Sequence, residues 1–452
     1  MTGHEPRRFR FAFDTVASIA LVVVFIALRL ISFLTSPGIK VLPDSSVFID
    51  MASQPLFGSG LWAGLRPPVV PLIYKILGNH SGLVVLFQWL LSVICWSLLA
   101  LSLTRVIKLK WLKIVACGVV LLFSMSTEII VWEKIIQSES ITLSLLALFV
   151  ASWLWLLQSW QWTKALVTMA VAALWVFTRE SNAWIVLCLA VILIITGVVW
   201  RSQRRGLVMA AVFIGLFLIN DISSNAGQRW IFPFLNVLAK RVLPDPAYLA
   251  YFEQRGMPVS PALMRRSTRW ASSDDWAFYH DPDLEEFREW MHRSGKSTYV
   301  RFLLTDPSRT LQDPLRNLET LIYIDTGYFA PLDFIPILPK SVNDIVFFRR
   351  FVLVFAWSVA VSFGIALALA VRQRRLIWIV PLLLIFLAYP HGIIVWHGDA
   401  MEVERHALQL SVHLRLGFWM LLLFAADLGF AYLKERRRDL ALRRGGQASA
   451  TA

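Results

Sequence analysis

The sequence predicts an all-α polytopic membrane protein, and three observations carry that expectation. Hydrophobic residues make up 57% of the 452 positions and charged ones only 16%, against about a quarter charged in soluble domains. The apolar residues gather into runs of roughly 18 to 25, the length that crosses a hydrocarbon core. The connections between runs alternate in character, one set rich in Lys and Arg, as membrane topology requires. The net charge of +14 is read as topological, so no nucleic-acid partner is expected. Cys95, Cys117 and Cys188 all fall inside apolar runs, where cysteine acts as a small hydrophobe.

In chain order, Arg7, Arg8 and Arg10 precede a first span at about 15–34, which reads as a retained helix with its N-terminus in the cytoplasm. Residues 35–80 form a first outer loop. Pro67, Pro68 and Pro71 exclude a regular span there but allow a short surface helix ending near Gly78. Further spans are expected at about 82–104, 112–131, 139–158, 163–178, 182–200, 206–220, 350–371, 376–396 and 408–433, about ten in all. With that count Arg105, Lys108, Lys110 and Lys113, then Arg201, Arg204 and Arg205, then Arg372, Arg374 and Arg375, and Lys434, Arg436, Arg437 and Arg438 all fall inside. The chain divides into an N-terminal transmembrane module (1–220), an extracytoplasmic subdomain (221–348), C-terminal transmembrane helices (349–435) and a tail (436–452) read as disordered. The subdomain is too long for a plain loop and should be small and mostly helical. Its helices include one over Leu284–His292 and another begun by Pro314.

The outer connections hold the residues that could carry chemistry. Asp44 is placed to take a proton from an incoming hydroxyl; the plainer alternative is a loop acid capping a helix that starts at Ser45 or Ser46. Arg66 offers planar paired donors suited to phosphate, in a loop stiffened by its prolines. Glu128, Glu133 and Glu139 put three acids into one short connection; Glu139 also suits a helix N-terminus, and Glu133 a local pair with Lys134. Arg179 lies in a tight outer turn as a second phosphate contact or a turn anchor. Glu402, His406, Gln409 and His413 share one face of the last helix at helical offsets, with Arg405 beside them. His397, Asp399, His406 and His413 leave a divalent metal open, although their spacings match no strong metal motif. No other cofactor is expected.

A first helix followed by Asp44 and a downstream Arg66-Pro67-Pro68, with Ser138-Glu139-Ser140, Thr178-Arg179-Glu180-Ser181-Asn182 and Glu404-Arg405-His406 opening later helices, resembles the GT-C glycosyltransferases. That superfamily includes protein mannosyltransferases and lipid A aminoarabinose transferases. The resemblance covers the first 200 residues and the final span. Members often carry a second acid directly after the first-loop Asp and a tyrosine a few positions on; here those places hold Ser45 and Phe48. The resemblance implies a polyprenyl-phosphate sugar donor and an extracytoplasmic glycan, lipid or protein acceptor. It also implies an inverting transfer at the outer face of a membrane, here read as the bacterial cytoplasmic one. On this reading Asp44 and Glu139 are catalytic, and Arg66, Glu128, Glu133, Arg179, Glu402, Arg405 and His406 bind substrate, with no metal assigned. The rival is a transporter or flippase of lipid-linked sugars; against it stand the absence of internal repeats and the crowding of acids at the outer rim.

Overall fold

Helix α1 (Phe13–Thr35) forms because its run of β-branched and straight apolar residues has no Gly or Pro to interrupt it. A computed structural model describes residues 13–200, 203–348, 352–373 and 376–449, and places α1 at the rim of the bundle. There Val23, Val24, Ile31 and Leu34 face outward, as a lipid-facing surface demands, while Phe25 and Arg29 turn inward. A first loop follows with α2 (Pro43–Ser53) and α3 (Val69–Ile76). The expected surface helix is α3, stopped by Gly78 at φ +65°, where a side chain would be strained.

The bundle continues with α4 (Ser81–Val106), α5 (Lys110–Ser124), α6 (Glu139–Gln158), α7 (Trp162–Val176), α8 (Glu180–Val199) and α9 (Gly206–Ala226). Its C-terminal part is α10 (Val352–Gln373), α11 (Ile379–Gly398), the single turn α12 (Val403–His406) and α13 (Leu408–Ser449). Seven of these helices are long and apolar enough to cross a membrane; the bent pair Lys110–Ser124 and Thr127–Lys134, broken by 54°, would make eight. This is an integral membrane architecture, but the expectation of ten spans exceeds what length and composition give. The other two expected spans coincide with the shorter apolar helices Trp162–Val176 and Ser358–Leu369. Buried on nearly all sides, α6 is the axis of the core.

The bend after α5 shapes the floor of the bundle's end. Residues 125–138 hold only one α-helical turn, Thr127–Ile130, and one 3₁₀ turn, Val131–Lys134, and backbone polar groups at membrane depth must then find partners in the protein. They do. Gln88 Nε2 donates to the carbonyls of Glu133 (3.1 Å) and Ile135 (3.0 Å), Ser45 Oγ to Ile136 (2.6 Å) and Tyr74 hydroxyl to Gln137 (3.0 Å). Lys40 N donates to Lys134 O and Ile136 N to Lys40 O. This irregular segment is stitched to the first loop and delivers Glu139 to the start of α6.

Residues Ile231 to Phe302 gather an apolar core of their own around Leu263, Phe287 and Trp290, in short helices. Three boundaries differ. The span expected to end at 220 runs to Ala226. Pro314 lies inside a helix that Pro307 begins, because Asp306 caps it by accepting from Arg309 N at 3.0 Å. The tail after 436 continues α13 in backbone to Ser449, its Leu, Ala and Arg residues being good helix formers; residues 450–452 lie outside the described residues. At the opposite end of the bundle Lys113 pairs with Asp14 at 2.9 Å, and Asp427 accepts from the backbone of Lys108 and Leu109.

Candidate active site

Four separate pieces of chain meet at the end of the bundle that carries the subdomain. Asp44 lies in the first turn of α2, whose cap is Leu42, so the capping alternative does not describe it. Its carboxylate instead accepts from Arg405 Nη2 at 2.7 Å and pairs with Arg66 at 3.2 Å. Arg405 also reaches Glu402 at 2.8 Å and Glu139 at 3.7 Å. Arg179, the residue before α8, pairs with Glu139 at 3.2 Å and donates to His406 Nδ1 at 3.3 Å. That bond leaves Nε2 as the protonated nitrogen, 3.7 Å from Asp399. The structure thus brings together seven of the expected residues: Asp44, Arg66, Glu139, Arg179, Glu402, Arg405 and His406.

The cluster is graded in depth. The side chains of Asp44 and Arg66 remain about one-third exposed, at 32% and 31%, whereas Glu139 at the floor is 1% exposed. Burial raises the Asp44 pKa, but the guanidiniums of Arg66 and Arg405 outweigh it and hold the carboxyl below its usual range. Arg405 moves the other way: burial lowers its pKa, yet Glu139, Glu402 and Asp44 raise it further, so it stays charged. Burial, with Arg405 and Arg179 nearby, lowers the His406 pKa and keeps the ring neutral. Glu402 adopts the left-handed region at φ 47°, a conformation that costs a non-glycine residue about 1 kcal/mol or more.

Two expected residues lie elsewhere. Glu128 is fully buried and accepts from Asn343 Nδ2 at 3.1 Å. Glu133 is buried against Arg29 of α1, not against Lys134, which donates to Phe33 O and sits over the Phe33 ring. Both acids hold the irregular segment, for which a neighbouring backbone or cation is needed at that depth. The shared helical face of Glu402, His406, Gln409 and His413 is also revised. The chain breaks at Ala407, so Glu402 and His406 stand at the rim while Gln409 and His413 are buried in the bundle. His397 bonds to Thr310 O, and among the described residues no three of His, Cys, Asp and Glu are grouped as metal ligands would be.

Sequence reading missed Arg229 and weighed Asp399 only as a possible metal ligand. Arg229 Nε donates to Gly64 O at 2.6 Å and Nη1 pairs with Glu180 at 3.5 Å, fixing the loop that carries Arg66. A lone arginine in a long polar region gives no signal for such a role. Gly227 lies against the same loop: an added Cβ would sit 2.3 Å from Gly64 O and 2.6 Å from Ala63 O. Gly227→Ala is therefore expected to push the loop away, at a cost of about 1 to 3 kcal/mol, measured as a lower thermal midpoint in detergent. An unchanged midpoint would show that the loop gives way freely.

Asp399 ties the subdomain to the site, accepting from Asn236 Nδ2 at 3.1 Å and Met401 N at 2.9 Å. Burial raises its pKa to about 6 despite those bonds. The native state then binds a proton that the unfolded chain releases between about pH 4 and pH 6, so stability falls as pH rises through that window. Asp399→Asn should flatten this slope, worth roughly 3 kcal/mol at most; equal slopes in unfolding titrations of the two proteins would contradict it.

No family model matches the chain, and no curated protein matches it.

Proposed function

We propose that the protein is a glycosyltransferase of the GT-C kind, acting at the extracytoplasmic face of a bacterial cytoplasmic membrane with both termini in the cytoplasm and ten membrane-crossing segments. It would move a sugar from a polyprenyl-phosphate donor to an extracytoplasmic acceptor. The observation that carries this reading is the carboxylate of Asp44 clamped between Arg66 and Arg405 at the bundle's end, 2.7 Å from one and 3.2 Å from the other.

A carboxylate so clamped is a weak base, because the guanidiniums stabilise its ionised form. A lipid phosphate arriving between Arg66, Arg405 and Arg179 competes for the same donors. Once the arginines turn to the phosphate, Asp44 loses their stabilisation and becomes the stronger base that the reaction needs. It then takes the proton of the acceptor hydroxyl as that oxygen bonds to the anomeric carbon. The bond from that carbon to the phosphate oxygen breaks with inversion, and its electron pair leaves with the polyprenyl phosphate. Preorganised guanidiniums neutralise the charge that develops there. Glu139 holds Arg179 and Arg405 in place from below, a positioning role rather than a chemical one.

The rival, a flippase of lipid-linked sugars, needs polar groups along a path to the other face. Beyond Gln409 and His413, the same face of α13 continues as the buried Leu416, Met420 and Phe424, which favours the enzyme. The test is to incubate the purified protein with a panel of polyprenyl-phosphate pentoses and hexoses and acceptor glycans. Release of free polyprenyl phosphate with acceptor glycosylation is the expected result. Binding without release for every donor and acceptor would turn the reading to transport.

A further inference from the structure

Directly beneath the arginines lies a second polar group that the proposed reaction does not use. His391 of α11, Gln409 and His413 of α13, Asn182 of α8 and Trp175 of α7 are each no more than 1% exposed. Both ring nitrogens of His391 and of His413, both amide atoms of Gln409, Asn182 Oδ1 and Trp175 Nε1 have no hydrogen-bond partner in the protein. Three of them are nonetheless close together: the His391 and His413 ring centres lie 5.6 Å apart, and those of Trp175 and His413 6.1 Å, with Gln409 one turn before His413 on α13. A helix-to-helix network would show these side chains bonded to one another. Asn182 Nδ2 alone is bonded, donating to Trp175 O at 2.9 Å and Thr178 Oγ1 at 3.1 Å; the other polar atoms named have no such bonds.

Orphaned polar atoms at this depth cost free energy in hydrocarbon surroundings unless something else supplies the bonds. The position says what does. Gln409 and His413 follow Arg405 across the Ala407 break and lie deeper in the bundle, His413 about 6 Å below Gln409 at the helical rise of about 1.5 Å per residue within α13. Asn182 follows Arg179 by three residues, on the first turn of α8. The walls are interrupted just here, with α12 and α13 parted at Ala407 and Pro390 inside α11 beside His391, as in membrane-protein sites built on discontinuous helices.

Charge decides the ligand class. The group contains no acid, so it does not suit a cation, and the arginines that would hold an anion lie above it. What remains is a mixture of donors and acceptors: an amide, an indole N–H, an amide oxygen and two imidazoles that each donate once and accept once when neutral. Hydroxyl groups, which also donate and accept, are the complement. We infer that His391, Gln409 and His413, with Asn182 and Trp175, bind the hydroxyls of the donor's glycosyl group while the arginines above hold its phosphate. This assignment rests on the glycosyltransferase reading, and these residues would set which sugar is accepted.

Water offers the same hydroxyl chemistry, and binding to the full-length protein in lipid nanodiscs separates the two. The probes are a polyprenyl-phosphate pentose, a polyprenyl-phosphate hexose and bare polyprenyl phosphate. The wild-type protein should bind one glycosylated probe about tenfold or more tightly than the bare one, the margin that one or two buried hydrogen bonds give. Gln409→Leu and His413→Phe should lose that margin and keep their affinity for bare polyprenyl phosphate, which also reports that they are folded. Variants that keep the margin would show that water alone occupies the pocket. Variants that lose bare and glycosylated probes in equal proportion would show a structural role. A wild-type protein that binds all probes alike overturns the sugar pocket only; one that binds none overturns the glycosyltransferase reading and the pocket with it.

Discussion

Asp44→Asn is expected to abolish sugar transfer while leaving the protein folded and its donor bound. Loss of a positioned general base costs about 10²- to 10⁴-fold in turnover. The amide is nearly isosteric and can still accept a bond from Arg405, but it cannot take the acceptor's proton. Stability should barely move, since the Asp44 side chain is one-third exposed and exposed ion pairs contribute about 1 kcal/mol or less. Donor affinity should rise or hold, because Arg66 and Arg405 no longer divide their charge between a carboxylate and a phosphate. A fall in kcat with an unchanged or lower KM is therefore the signature, and it distinguishes a base from a residue that merely holds substrate. Turnover by the variant within a few-fold of wild type would remove Asp44 from the chemistry and leave it as a clamp for the arginines.

The membrane-embedded design was legible in the sequence because hydrocarbon imposes simple demands. Runs such as Phe13–Thr35 and Glu180–Val199 read directly as helices, since no soluble fold needs so many consecutive apolar residues. Asp44, Arg66, Arg179 and Arg405 stood out for the same reason: a charge at the edge of an apolar run has few ordinary explanations. Their partners did not. Asp44 and Arg405 are separated by 361 positions, and nothing local specifies that pairing; it arises from how α4, α6, α8, α11 and α13 stack. Local neighbours were also misleading. Glu133 precedes Lys134 and suggests a pair with it, but a 3₁₀ turn over Val131–Lys134 sends the acid inward and the lysine to the Phe33 carbonyl. The periodicity from Glu402 to His413 failed at Ala407 because a regular offset assumes an unbroken helix.

Arg29 and Glu133 provide the largest expected effect on stability. Arg29, 1% exposed in a helix that mostly turns toward lipid, bonds to Ser124 O at 3.1 Å and pairs with Glu133. Removing one member leaves the other charged and unmatched, which costs about 3 to 5 kcal/mol for a buried pair. Arg29→Met and Glu133→Leu should each lower the unfolding midpoint sharply. Each should also lower transfer activity, because the segment that Glu133 anchors ends at Glu139, beneath Arg179 and Arg405. The double replacement exchanges two charges for two apolar side chains of similar reach, a change that is often close to neutral. It should recover most of the stability, giving a coupling energy of about 2 kcal/mol or more in a double-mutant cycle. Singles within about 1 kcal/mol of wild type, or a double no better than their sum, would mean that the bend after α5 is held by Gln88, Ser45 and Tyr74 alone. The two activities then separate the roles further: a double variant restored in stability and in transfer would place Glu133 outside substrate binding, whereas restored stability without transfer would return it to the site.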